Sequence, residues 1–207
     1  MAALEDLPPF RYRAKYRFSG HFSKCGGNAV GSRRFLRMPN TYVVVAGPPG
    51  SGKTTLARPL AAKLGLPLIA KDVIKEVLMQ TLGMPGTVEE SKVIGRAAVE
   101  TMFAVAQTAQ GAVLESNFAS YTAPLLRALP GQLVEVRCRC PRELALARYR
   151  ERAAHRHPGH HDNLRDEAEL WNEELLKPLD IGPVLEVDTS GPVDVDAIAQ
   201  EITAATA

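Results

Sequence analysis

Cysteine is scarce in this chain. Three cysteines in 207 residues cannot supply a disulfide framework. Cys138 and Cys140 lie two apart on an expected strand, so both face one side. They read as buried thiols in a reducing compartment, and a cytoplasmic location is expected. Long apolar runs are also missing. None reaches the ~18 residues that a membrane span needs, so no membrane association is expected. The first ten residues contain Glu5 and Asp6 and have no apolar core, which argues against a secretory signal. Charge of one sign is not in excess: the net charge is +2, so bulk charge does not predict nucleic-acid binding. Internal repeats are absent too.

The charge is nevertheless uneven. Residues 1–37 carry a net +6 and the remainder a net −4. The stretch RYRAKYRFSGHFSKCGGNAVGSRRF interleaves basic and aromatic residues, as a nucleic-acid-binding arm does. The plainer reading is a solvated extension, or sequence upstream of a natural start at Met38, which directly precedes Pro39-Asn40 and the first strand. The expected organisation is a basic extension over 1–37 and one α/β domain over 38–207.

The strongest signal is GPPGSGKTT, comprising Gly47, Pro48, Pro49, Gly50, Ser51, Gly52, Lys53, Thr54 and Thr55. Its spacing is that of the P-loop, G-x-x-x-x-G-K-[ST]. Glycines let the backbone turn tightly and bring N–H groups to phosphate oxygens. A helix starting at about Lys53 aims its positive end at the same phosphates. Lys53 reaches the β- and γ-phosphates, and the Thr54 hydroxyl is the expected Mg²⁺ ligand. The β-branched run Tyr42 to Ala46 before the loop, and leucines at helical spacing after it, supply the strand and helix that the motif requires.

Downstream, short apolar strands alternate with helices. Strands are expected at 67–70, 112–115, 132–138 and 183–187. Asp72 is placed as an N-cap for the helix after the second strand. Thr87-Val88-Glu89-Glu90 reads as a capping box opening a helix to about Gln110, which Gly111 ends. Pro141 starts a helix to about Ala154. An exposed loop over 155–162 precedes a helix near 166–176, and a final helix follows Val195. The expected fold class is α/β: a P-loop NTPase with about five parallel strands, helices on both faces and an Arg-rich lid.

In such a sheet ligands bind beyond the carboxyl ends of the strands. Asp72 follows the second strand and is the candidate to orient an acceptor hydroxyl and take its proton. A pure capping role is the alternative. Lys75, one helical turn on, is placed to hold the acceptor or its charge. Glu115 ends the third strand and is placed to hold a Mg²⁺-bound water or polarise a water; Asn117 is placed to hydrogen-bond the acceptor. Arg148, Arg152 and Arg156 recur every four residues, which lines them along one helix face beside the P-loop, suited to neutralising a transferring phosphoryl group. Pro158-Gly159 gives the turn of a mobile lid. Four of the five histidines crowd 155–161, where lid or substrate contacts are favoured over zinc, because no known ligand spacing is completed.

GPPGSGKTT, LIAKDVIKE, VLESNF and RYRERAAHRHPGH together resemble the P-loop small-molecule and polynucleotide kinase-like proteins. Chloramphenicol phosphotransferase, zeta-toxin and the kinase domain of phage polynucleotide kinase belong to that group, as do the bacterial predicted kinases called AAA-family ATP-binding proteins. The resemblance covers about 38–207. It implies that Asp72 activates the acceptor hydroxyl and that the lid arginines correspond approximately to Arg148, Arg152 and Arg156. Lys75 stands where polynucleotide kinases carry an Arg that contacts the acceptor phosphate; Lys keeps the charge and loses the bidentate fork. An AAA label implies a ring-forming motor, but no second helical domain fits this length. The expected activity is therefore transfer of the γ-phosphate of ATP, with Mg²⁺, to a hydroxyl of a small molecule. A polynucleotide 5′-hydroxyl kinase and a nucleotide-binding regulator without an acceptor are the alternatives. Oligomeric state is left open.

Overall fold

A computed structural model describes residues 40–206; the basic extension expected over 1–37 lies outside them. Five strands form one wholly parallel sheet: β1 (Thr41–Ala46), β2 (Leu68–Ala70), β3 (Gly111–Glu115), β4 (Gln132–Arg139) and β5 (Val184–Asp188). Their order is β2-β3-β1-β4-β5. β1 thus sits in the middle, with Val43 in register with Val113 on one side and Val134 on the other.

Every residue of β1 is buried, because both faces of a parallel sheet are covered. Side chains of successive strand residues point to opposite faces. Val43 and Val45 pack with Leu56, Leu60 and Leu64 of α1 (Lys53–Leu64) and with Ile198 and Ile202 of α7 (Val195–Ala205). Tyr42, Val44 and Ala46 pack with Met102 and Phe103 of α3 (Val88–Ala106) and with Leu126 of α4 (Ala123–Arg127). Fully burying side chains of this kind stabilises by ~1.5–3 kcal/mol each. The Tyr42 hydroxyl donates to the carbonyls of Ala106 and Ala109 at 3.1 and 2.7 Å, tying β1 to the end of α3.

The remaining helices are α2 (Lys71–Leu82), α5 (Arg142–Ala153) and the single turn α6 (Glu167–Leu170). Several expectations are corrected here. α2 starts one residue early, with Ala70 as its N-cap, so Asp72 lies inside the first turn and does not cap it. α3 ends at Ala106, and Gly111 opens β3 instead of closing the helix. The Thr87 hydroxyl does accept from the Glu90 N–H, at 3.1 Å, but Glu90 reaches back to the Gly86 N–H rather than to its own cap residue.

The expected helix over 166–176 is two short pieces, α6 and a 3-10 turn at Glu173–Leu176. Asn172 breaks it, its side chain accepting from the Leu175 N–H at 3.0 Å. A buried ion pair anchors the chain from Leu175 to Leu179 against β4. Arg137 on β4 donates to Glu135 at 2.5 Å and to the Leu175 carbonyl at 2.9 Å, while Glu135 accepts from the Leu179 N–H at 2.9 Å. Both side chains are buried, so their polar atoms are matched largely within the protein.

Candidate phosphoryl-transfer site

β1 ends in the P-loop. Gly50 has φ +75°, and a Cβ there would lie 2.0 Å from the Ala145 carbonyl oxygen, so only glycine lets α5 pass this closely. At Gly47 a Cβ would meet Ser51 Oγ at 2.8 Å and the Cys138 carbonyl at 2.9 Å. Thr189, just past β5, supports the loop from below by donating to the Ser51 and Arg139 carbonyls at 2.6 and 2.8 Å. No side chain caps the first turn of α1, which leaves its N–H groups suited to an anion.

Lys53 is buried and folds back to donate to the Pro48 carbonyl at 2.7 Å. Burial lowers its pKa to about 8, against the opposing pull of Glu115. Glu115 is itself buried, and burial raises its pKa while Lys53 and a hydrogen bond from the Thr54 hydroxyl resist the rise. This cradle, its buried lysine and the hydroxyl–carboxylate pair fit a nucleoside triphosphate with Mg²⁺, a cation that prefers hard oxygen donors. Among the described residues no group of three or more His, Cys, Asp or Glu side chains is arranged to hold a metal ion.

A cavity of about 850 Å³ opens above the P-loop. It brings together Lys53, Asp72, Lys75, Glu115, Asn117 and all three candidate arginines. The arginines do not form one row, because α5 stops at Ala153 and Arg156 lies beyond it. Arg148 donates to the Thr189 and Ser190 carbonyls at 2.9 and 2.8 Å, clamping α5 to the loop after β5. The Arg152 guanidinium lies 5.7 Å over the Tyr149 ring and makes no side-chain hydrogen bond among the described residues. It is close enough to Lys53 to oppose that charge. Arg156 bridges Asp72 and Asp162, donating to both Asp162 oxygens at 2.9 Å and to Asp72 Oδ2.

Asp72 also accepts from Lys71 at 2.8 Å. Burial pushes its carboxyl up, but Lys71, Arg156 and His160 together hold it well below the usual carboxylate range. Asp162 is held in turn by the Tyr149 hydroxyl at 3.0 Å. Tyr149, whose phenol burial and Asp162 push upward, stacks edge-on with Trp171 at 5.2 Å.

The loop over 155–162 is only partly exposed: His155 and Pro158 face solvent, while its tip is docked. Pro158–His160 forms a 3-10 turn with Gly159 and His160 buried. The Gly159 carbonyl accepts from Ser91 on α3 at 2.7 Å, His160 donates to Glu76 on α2 at 2.9 Å, and His161 donates to the Pro85 carbonyl at 2.9 Å. Burial and Arg156 lower the His160 pKa to about 4, so its ring is neutral at pH 7. His160 and His161 thus dock the segment, and the His157 ring lies edge-on to that of His160 at 6.4 Å.

Sequence reasoning missed Ser91, Tyr149, Asp162 and Arg165, whereas Thr189 lies in the stretch past the last strand that parallel topology sends to the site. A weak signal existed for Asp162, the carboxylate closing the Arg- and His-rich stretch. Nothing in the sequence paired it with Arg156.

A parallel five-stranded sheet with a P-loop at the end of its central strand and a cavity over it defines a P-loop kinase-like fold. The chain belongs to the AAA domain family, which matches residues 43–172. A solved structure from Chloroflexus aurantiacus J-10-fl, described as a candidate kinase, is 32% identical, with 82% of this chain and 99% of that one covered and a TM-score of 0.71. A gluconokinase from Sinorhizobium meliloti 1021 shares the fold at 22% identity over 84% of this chain and 93% of that one, TM-score 0.53. So does a shikimate kinase from Acinetobacter baumannii, solved with shikimate, at 23% identity over 82% and 93%, TM-score 0.50. Among curated proteins, a cytidylate kinase of Ignicoccus hospitalis is 43% identical over 44 residues, or 21% of this chain. That stretch spans 26% of the relative, about a quarter of its length.

Proposed function

We propose that the protein is an ATP- and Mg²⁺-dependent phosphotransferase whose acceptor is a hydroxyl of a small molecule. The observation that carries this reading is the joining of Lys53, Arg152 and Asp72 around one cavity. The backbone of residues 48–53 and Lys53 would hold the nucleotide's phosphates, and Thr54 with Glu115 would hold Mg²⁺. When bound, Mg²⁺ supplies charge neutralisation between phosphate oxygens.

Asp72 orients the acceptor hydroxyl and receives its proton on a carboxylate oxygen. Its pairing with Lys71 and Arg156 makes it a weak base. In a loose phosphoryl-transfer transition state the attacking oxygen has gained little bonding, so orientation outweighs basicity. Arg152, without a carboxylate partner among the described residues and close to Lys53, neutralises charge developing on the transferred group. Arg148 acts indirectly by holding α5 over the loop. Asn117, exposed at the cavity rim, would hydrogen-bond the acceptor. Arg156 positions Asp72. The neighbouring gluconokinase and shikimate kinase folds lend support to a small hydroxylated acceptor.

The cytidylate kinase stretch favours a second reading, transfer to a phosphate oxygen of a nucleotide. It covers about a fifth of the chain and weighs less. A radiolabelled γ-phosphate screen tests both, with sugars, hydroxy acids, aminoglycosides, nucleosides, nucleoside monophosphates and 5′-hydroxyl oligonucleotides beside an Asp72→Asn control. Label on a hydroxylated small molecule, lost in the control, is expected. Label only on inorganic phosphate would overturn the reading.

A further inference from the structure

The cavity's cations fall into two groups. Lys53 and Arg152 oppose one another at the P-loop end. Lys75 is opposed by Lys71 and Arg165, with Asp72 the carboxylate that counters them. At the P-loop end the triphosphate answers the positive charge. Around Lys75, among the described residues, no carboxylate forms an ion pair that answers it.

Lys75 is 1% exposed, and its stem runs along Gly95 of α3, where a Cβ would meet it at 3.7 Å. An ammonium has three donors. Among the described residues the Lys75 ammonium makes one hydrogen bond, to Ser91 Oγ at 2.7 Å, and no ion pair. The Ser91 proton is committed to the Gly159 carbonyl, so the hydroxyl acts purely as an acceptor. Arg165, with a side chain 16% exposed, reaches only Glu169 at 3.8 Å, and Glu169 is already paired with Lys92 at 2.9 Å. Both cations line the cavity. A buried and a half-buried cation, both under-partnered and facing the same space, suit an oxyanion.

We propose that Lys75 and Arg165 bind one oxyanion, and that the phosphate acceptor is a small hydroxylated molecule carrying a carboxylate or a phosphate group. The oxyanion site stands on its own geometry; the acceptor's identity rests on the phosphotransfer reading above. With its anion at Lys75 and Arg165, the acceptor presents its hydroxyl to Asp72, between the two charge centres. A neutral polyol leaves both cations unanswered, which sets the specificity.

Burial and the nearby Lys71 and Arg165 lower the Lys75 pKa to about 7. An anion restores it, so binding takes up a proton near neutral pH. Lys71, Asp72 and Glu76 on α2, Ser91 on α3, and Arg156, His160 and Arg165 from the segment after α5 all lie around this ammonium or line its cavity, and Asp72 opposes the cations.

The test uses the full chain with Mg²⁺ and a non-hydrolysable ATP analogue filling the P-loop. Inorganic phosphate and glycolate are titrated calorimetrically, with ethylene glycol as the neutral counterpart. Trp171, the single tryptophan, stacks on Tyr149 and gives a parallel fluorescence readout. Phosphate and glycolate are expected to bind and ethylene glycol not to. Lys75→Met and Arg165→Gln should each weaken oxyanion binding on the order of tenfold or more, with analogue affinity unchanged. Glycolate binding should take up a proton in the wild type and not in Lys75→Met. Oxyanion affinity unchanged in both variants, or no oxyanion binding to the loaded protein, would overturn the proposal. Arg165→Gln lies at the cavity edge and keeps the test decisive if Lys75→Met fails to fold. The γ-phosphate screen separates the two readings. Transfer to neutral hydroxyls alone refutes the oxyanion-bearing acceptor while leaving a kinase. Oxyanion binding with no transfer to any compound refutes the phosphotransfer reading while leaving the site.

Discussion

The two ends of the cavity are built by different means. The P-loop end comes from nine consecutive residues and is mostly backbone: glycines at positive φ, N–H groups at a helix start, one buried lysine. The acceptor end is made of side chains from α2 and the segment after α5, backed by Ser91 of α3, with Lys75 and Arg165 lying 90 residues apart in the chain. Its order comes from a chain of polar contacts, Tyr149 to Asp162 to Arg156 to Asp72. A backbone site depends on conformation and tolerates side-chain change poorly only where space is nil. A side-chain site depends on each partner being present, and it can change its ligand one residue at a time. The difference explains how one fold can hold a constant phosphate donor and varied acceptors.

The comparison breaks most sharply at Asp72. Asp72→Asn should lower the transfer rate by ~10²–10⁴-fold and leave nucleotide affinity unchanged, read by single-turnover transfer beside calorimetric binding. Next comes the backbone end. Gly50→Ala places a methyl against the Ala145 carbonyl at a φ that alanine resists. A loss of ~3 kcal/mol in urea unfolding is expected, together with nucleotide binding. Should Gly50→Ala bind nucleotide normally, the P-loop end would not be sterically fixed.

Smaller effects sharpen the contrast. Arg156→Gln removes a cation from Asp72, so the Asp72 carboxyl, depressed in the folded protein, should titrate at higher pH, as carbon-detected NMR would record. The pairing of Asp72 stabilises the protein above the unfolded value near 3.8 and is lost as pH falls through the folded one. Arg156→Gln should lose part of that stabilisation above the unfolded value, the deficit narrowing as pH falls, as urea midpoints across the range would record.

The far end gives a slope of opposite origin. Lys75 has a folded pKa of about 7 against an ordinary 10.5, so between those values the unfolded chain holds more protons. Stability contributed by this residue rises across that window, and Lys75→Met should flatten the rise in pH-dependent urea midpoints. The smallest effect belongs to the surface. Asp196→Asn breaks the exposed pair with Lys63, 2.8 Å apart, and should cost less than ~1 kcal/mol with no change in transfer.

The P-loop end was legible residue by residue because its geometry is local. Spacing sets which N–H groups converge, and Lys53 and Thr54 belong to the same helix turn. Strand ends were legible for a related reason: parallel topology sends Asp72, Glu115 and Thr189 to one edge. Helical spacing failed for the arginines once the helix stopped at Ala153. Arg148, Arg152 and Arg156 then met a carbonyl pair, an aromatic ring and two carboxylates. Local pattern also misjudged the tip of 155–162, where polar composition suggested solvent but Gly159 and His160 are buried. Burial there is satisfied by Ser91, Glu76 and the Pro85 carbonyl, partners some 70–85 residues away in the chain.

By itself the sequence determined the sheet, the loop and the helix that presents the loop, since each is set by periodicity and backbone conformation over a few residues. Tertiary structure alone decided which charges stay paired and which face the cavity open. That choice belongs to packing: burial removes water from Lys75, distance keeps carboxylates from it, and a cation's partner is whatever the fold brings within reach.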